Sequence, residues 1–121
     1  MDYQLSTSLD EAILEIIITG EITKESINLL RDEVLEIIRN TNAKAVLCDV
    51  RSARGPQDIT EAYFRSRSLP ADIKILPAAV VDRSENWDYK SFYEATAANA
   101  GHMLKWFTDI ESARTWLKNM F

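Results

Sequence analysis

Only one cysteine, Cys48, stands among the 121 residues, so an internal disulfide is excluded and a reducing compartment fits. Histidine is as scarce, with His102 alone. Basic residues are outnumbered, 14 Lys and Arg against 19 Asp and Glu. The resulting net charge of −5 argues against nucleic acid as a partner, because non-specific binding needs a basic footprint to displace counterions. No apolar run approaches the roughly 20 residues that a spanning helix needs, so no integral membrane segment is expected. Met1-Asp2-Tyr3-Gln4 lacks the basic and apolar regions of a signal peptide, and the cytoplasm is the expected location. A glycine-rich phosphate loop, metal-ligand spacing and a paired nucleophile and base are all missing; no cofactor, metal or catalytic residue is expected. Internal repeats, low-complexity segments and linkers are absent too.

What remains is the profile of a globular α/β chain. Hydrophobic residues make up 46% and charged residues 27%. The length suits one domain, residues 1–121, able to bury roughly two-thirds of its unfolded surface without a staple.

Tyr3 to Ser8 alternates weakly and reads as an edge strand, with a hairpin turn at Leu9-Asp10-Glu11. Ala12 to Thr19 and Lys44 to Arg51 are apolar on both faces, which marks strands inside a sheet. Between them, Thr23 is the expected N-cap of a helix to Arg39, with Ile27, Leu30, Val34, Ile37 and Ile38 on one face. Asp58-Ile59-Thr60-Glu61 has the form of a capping box opening a helix to about Ser68. Ile73 to Asp82 contains a fourth strand, with Pro77 implying a late start, a bulge or an edge. Trp87 to Ala100 reads as a third helix, and Gly101 suits the left-handed position after it. His102 to Phe107 is a fifth strand. Thr108-Asp109-Ile110-Glu111 is a second capping box, opening a helix with Ile110, Ala113, Leu117 and Met120 on one face. The order β-β-α-β-α-β-α-β-α predicts a five-stranded mixed, mostly parallel sheet with four helices.

That layout, with Gly20-Glu21-Ile22-Thr23 leading into the first helix, resembles STAS domains and, more closely, the SpoIIAA-like group allied to the STAS and CRAL-TRIO folds. Val80-Val81-Asp82-Arg83 and the run from Phe107 through Asp109, Glu111 and Arg114 to Leu117 carry the likeness, which extends over nearly the whole chain. STAS anti-sigma-factor antagonists have an Asp-Ser-Ser/Thr-Gly phosphorylation motif at the helix start after the third strand. Here that place reads Gln57-Asp58-Ile59-Thr60-Glu61, with no serine pair and no glycine. Thr60 is the nearest hydroxyl and the candidate phosphorylation site. Asp58 and Glu61 oppose a phosphate there about as strongly as the helix dipole favours it, ~0.3–1 kcal/mol. A plain first-turn threonine is the alternative.

Ligands of open α/β sheets gather at the carboxyl ends of the strands. Arg51, at the end of the Lys44–Arg51 strand, forms with Ser52, Arg54 and Gly55 a candidate anion or ligand loop beside a helix start. The alternative is that the arginines pair with Asp49, Asp82 or Asp58. Asp49 and Asp82 end two strands; structural roles are expected for them, as for His102 and for Cys48, a core thiol sharing parity with Val46 and Val50. On the Trp87–Ala100 helix, Tyr89, Phe92, Tyr93 and Thr96 form the core face, and Trp87 falls opposite. On the preceding helix, Phe64 lies ~100° off the face of Ile59, Ala62 and Tyr63. Phe64 and Trp87 are therefore the candidate partner-binding residues. The sequence supports a non-enzymatic interaction or regulatory module, homodimeric or docking another protein through its second and third helices. The runner-up is a carrier of a small apolar ligand or lipid, implied by the CRAL-TRIO likeness.

Overall fold

A computed structural model of the chain describes residues 3–23, 25–55, 70–84, 101 and 103–120. Five strands form one sheet in the order β1 (Tyr3–Asp10), β2 (Ile13–Glu21), β3 (Ala45–Arg54), β4 (Ala78–Val81) and β5 (Leu104–Phe107). β1 runs antiparallel to β2, and the remaining neighbours are parallel. The described helices are α1 (Ile27–Arg39), α2 (Ala71–Lys74) and α3 (Ile110–Lys118). Of the four expected helices, the first and last are α1 and α3. The two over 58–68 and 87–100 lie outside the described residues. The four-residue α2 is an addition, too short to show a hydrophobic period. It occupies the place where the fourth strand was expected to begin, so that strand starts late, after Pro77.

Side-chain alternation divides the core into two layers. Leu14, Ile16 and Ile18 of β2, with Val46, Cys48 and Val50 of β3, face α1. Leu30, Val34, Leu35 and Ile38 close that layer; Leu35 joins the expected face, and Ile37 is only partly buried. On the other side, Ile13, Ala45, Leu47, Ala79 and Val81 meet Ala113 and Leu117 of α3. Met120, expected on this face, is exposed. Leu47 is 0% exposed, with β strands on both sides and a layer above it.

Both expected internal strands lie inside the sheet, but β2 is not covered evenly. Ile17 is 37% exposed on the α3 side, because α3 sits over β3, β4 and β5. The β1–β2 turn falls at Glu11 and Ala12, both left-handed at φ 52° and 69°, one residue later than expected. This double positive φ matches the right-handed twist of a tight hairpin, at the strain of two residues that carry a Cβ.

The helix ends also differ in detail. Regular helix begins at Ile27 rather than just after Thr23. Thr23 still serves the entrance: its hydroxyl accepts from the Ser26 N–H at 3.1 Å, while the Ser26 hydroxyl accepts from the Thr23 N–H at 2.9 Å. At α3 the cap is Asp109 rather than Thr108, with its carboxylate accepting from the Ser112 N–H at 2.8 Å. Gly101 has the expected positive φ, 81°. Among the described residues no helix is long and apolar enough to cross a membrane.

Candidate functional site

The residues of the expected ligand loop, Arg51, Ser52, Arg54 and Gly55, lie at the carboxyl end of β3. There β3 does not stop at Arg51. It continues to Arg54, pairing Ser52 with Thr19, Ala53 with Gly20 and Arg54 with Glu21. Three of the four residues expected in a loop are therefore strand, and Gly55 alone follows it. The register slips between the Ile17–Asp49 and Thr19–Ser52 pairs, so β3 carries one extra residue. Such a bulge leaves a backbone N–H off the ladder. Here Asp49 takes it up: its Oδ1 accepts from the Arg51 N–H at 3.1 Å.

The same carboxylate holds the Arg51 side chain. Nε donates to Oδ1 at 3.0 Å and Nη2 to Oδ2 at 2.7 Å, a two-pronged pair. Asp49 is 6% exposed. Burial pushes its pKa up, and the Arg51 hydrogen bonds with the Arg51 and Arg114 charges together outweigh that and hold it below the ordinary value. The Asp49 hydrogen bond in turn raises Arg51. The guanidinium fork read as an anion clamp is therefore committed to the bulge. Of the two readings of the arginines, pairing with Asp49 holds for Arg51. Ser52 and Arg54 are exposed at the rim.

A second ionic cluster lies on the α3 side of the sheet. Arg114 of α3 donates to both oxygens of Glu15, Nε at 2.7 Å and Nη2 at 2.9 Å, and Nη1 donates to Glu111 at 2.7 Å. These bonds raise the Arg114 pKa, Glu15 contributing most. The sequence reading did not connect Glu15 with Arg114, 99 positions away. One signal was present: a lone glutamate inside Ala12-Ile13-Leu14-Glu15-Ile16-Ile17 demands a cation from elsewhere. Asp109 caps α3, and its hydrogen bonds with Ser112, then the Arg51 charge, lower its pKa.

Asp82 is buried at the end of β4 and its Oδ1 accepts from the Arg83 N–H at 2.7 Å; its own N–H donates to the Phe107 carbonyl at 2.9 Å. Asp49 and Asp82 thus each accept from a nearby backbone N–H. Cys48 is buried among the apolar side chains under α1, and burial followed by the Asp49 charge pushes its thiol up to about 12. Among the described residues, no group of three or more His, Cys, Asp and Glu can hold a metal ion. Thr60, Phe64, Trp87 and His102 lie outside the described residues, as does the helix start at Asp58.

This sheet order and helix placement are those of the SpoIIAA-like, or STAS-like, fold. No protein-family model matches the chain, and no curated protein does. Solved structures do match. An anti-sigma factor antagonist from Mycobacterium paratuberculosis is similar over 97% of this chain and 95% of its own, with a TM-score of 0.69 and 13% identity. RsbS of Moorella thermoacetica, in a serine-to-glutamate variant, is similar over 97% of each chain, with a TM-score of 0.65 and 14% identity. An uncharacterised protein with a SpoIIAA-like fold from Shewanella loihica is similar over 95% of this chain and 93% of its own, with a TM-score of 0.57 and 14% identity.

Proposed function

We propose that this chain is a single-domain, non-enzymatic regulatory module that works by binding protein, either a partner or a second copy of itself. The observation that carries this reading is the end-to-end likeness to a protein named for antagonising another, the anti-sigma factor antagonist. The electrostatics support it. General acid–base and nucleophilic catalysis need groups poised near the working pH. At the described strand ends, Asp49 and Asp109 are held ionised, Arg51 and Arg114 protonated, and Cys48 as the thiol. Their charges stabilise a bulge, a cap and a helix–sheet seam.

The proposed docking anchors are Phe64 and Trp87, on the pattern of aromatics off the core face, with Ser52 and Arg54 as polar rim. Phosphorylation at Thr60 is not needed for this role. The double variant Phe64→Ser, Trp87→Ser should keep the wild-type circular dichroism spectrum while sedimentation velocity shows weakened association. Unchanged association with every native partner would remove the two rings from the interface. Native mass spectrometry of protein from its own cells reads the class: bound protein supports the module, and a bound small apolar molecule would replace it with a carrier. Substrate turnover that is lost in His102→Ala would overturn the non-enzymatic reading.

A further inference from the structure

The outer side of β1 is an edge built for pairing. Among the described residues β2 alone pairs with it, over all eight positions and with no register shift. Monomeric proteins blunt such edges by shortening the strand, by lysine or proline, or by a bulge. Tyr3-Gln4-Leu5-Ser6-Thr7-Ser8-Leu9-Asp10 uses none of these, and its single charge stands at the end. Leu9 is 53% exposed on the same side of the sheet as Leu5.

We propose that β1 is a self-pairing edge, joining two copies of this chain antiparallel into a continuous sheet with five strands from each. A two-fold axis normal to the sheet keeps each face on its own side, so only residues of equal parity can stand opposite one another. With the axis at Thr7, Thr7 faces its own copy, Leu5 faces the partner's Leu9, Ser6 faces the partner's Ser8, and Gln4 faces the partner's Asp10. Leu9 then gains an apolar neighbour and Asp10 an amide. The charges select this register. Parallel pairing sets Asp10 beside the partner's Asp10, and like charges directly opposite are destabilising. Sliding the antiparallel pair by one two-residue step sets Leu5 against the partner's Thr7 and breaks the leucine pair. Sliding it the other way sets Leu5 against the partner's Glu11 and breaks the leucine pair.

The proposal deepens the protein-binding role by assigning self-association to β1, which leaves the Phe64 and Trp87 surface to a different partner. Its test is sedimentation equilibrium on wild type, Thr7→Lys, Thr7→Asp and an equal mixture of the two variants. Position 7 is exposed, so each variant should keep the wild-type circular dichroism spectrum. Wild type should dimerise, and each variant alone should raise the dissociation constant about tenfold or more, because like charges meet on the axis. Mixing should restore dimers, with lysine facing aspartate. A monomeric wild type, a dimer indifferent to charge at position 7, or variants that mixing does not rescue would each overturn the proposal. Dimers that survive every Thr7 change and are lost in Phe64→Ser, Trp87→Ser would overturn it while leaving the protein-binding function intact.

Discussion

The two halves of the sheet are finished differently. β3, β4 and β5 are covered on the α3 side, and the far edge at β5 is four residues long with exposed Lys105 at its middle. Among the described residues, β1 and the carboxyl-terminal part of β2 from Ile17 onward are closed only on the α1 side. On the other side, Gln4, Ser6, Ser8 and Asp10 are exposed beside half-open Ile17, and the β1 edge is long and uncharged to its last residue. Between the halves runs a seam of charge, Glu15–Arg114–Glu111 and Asp49–Arg51. One half has the devices of a finished monomer. The other has a polar face and, among the described residues, a β1 edge paired only with β2.

The contrast predicts graded responses to substitution. In the covered half, Leu47→Ala should cost ~2–5 kcal/mol by lost burial and a cavity, read from a urea melt; a loss under ~1 kcal/mol would place Leu47 outside the core. At the seam, Arg114→Ala strands Glu15, whose side chain is 11% exposed. The expected cost is about 1–3 kcal/mol, below that of a fully buried pair because Arg114 itself is partly open. The hairpin turn should respond in the opposite direction: Ala12→Gly relieves a positive φ and should stabilise by about 0.5–1 kcal/mol in the same melt.

Acid should act on the seam through Asp49. Asp49 has a folded pKa below its unfolded one, so its stabilisation is complete above the unfolded value, near pH 4, and is lost as pH falls through the folded value. Thermal midpoints measured from about pH 5 down to pH 2 should therefore fall, and Arg51→Met should flatten that fall. An equal slope in the variant would show that the bulge pair does not set acid stability. The smallest effect on stability is expected in the open half: Thr7→Lys should shift the melt by less than about 0.5 kcal/mol under conditions where the protein is monomeric.

The legibility of the chain follows the same division. The internal strands could be read because burial on two faces writes mostly apolar runs at Ala12–Thr19 and Lys44–Arg51, and α1 because one apolar face repeats from Ile27 to Ile38. Where structure depends on distant partners, local pattern is silent. The bulge after Asp49 carries the strand on through residues 52–54, yet nothing in Val50-Arg51-Ser52-Ala53 shows that β2 will pair beyond Thr19. Glu15 and Arg114 meet only once the sheet and α3 have packed. The place of Arg51 at a strand end was legible, but its role was set by a carboxylate two residues away that burial had deprived of water.

The self-pairing edge can be tested most directly by cross-linking the two edges under identical conditions. Cys48 is buried, with its thiol pushed up to about 12, so it does not compete for oxidation in the folded protein. Thr7→Cys places a thiol on the two-fold axis, where facing Cα atoms about 4.5–5.5 Å apart lie within disulfide range. Lys105→Cys places one at the middle of β5. With mild diamide oxidation and a non-reducing gel, Thr7→Cys should run as a covalent dimer and Lys105→Cys as a monomer. A Thr7→Cys protein that stays monomeric, or a Lys105→Cys protein that cross-links as readily, would contradict the account.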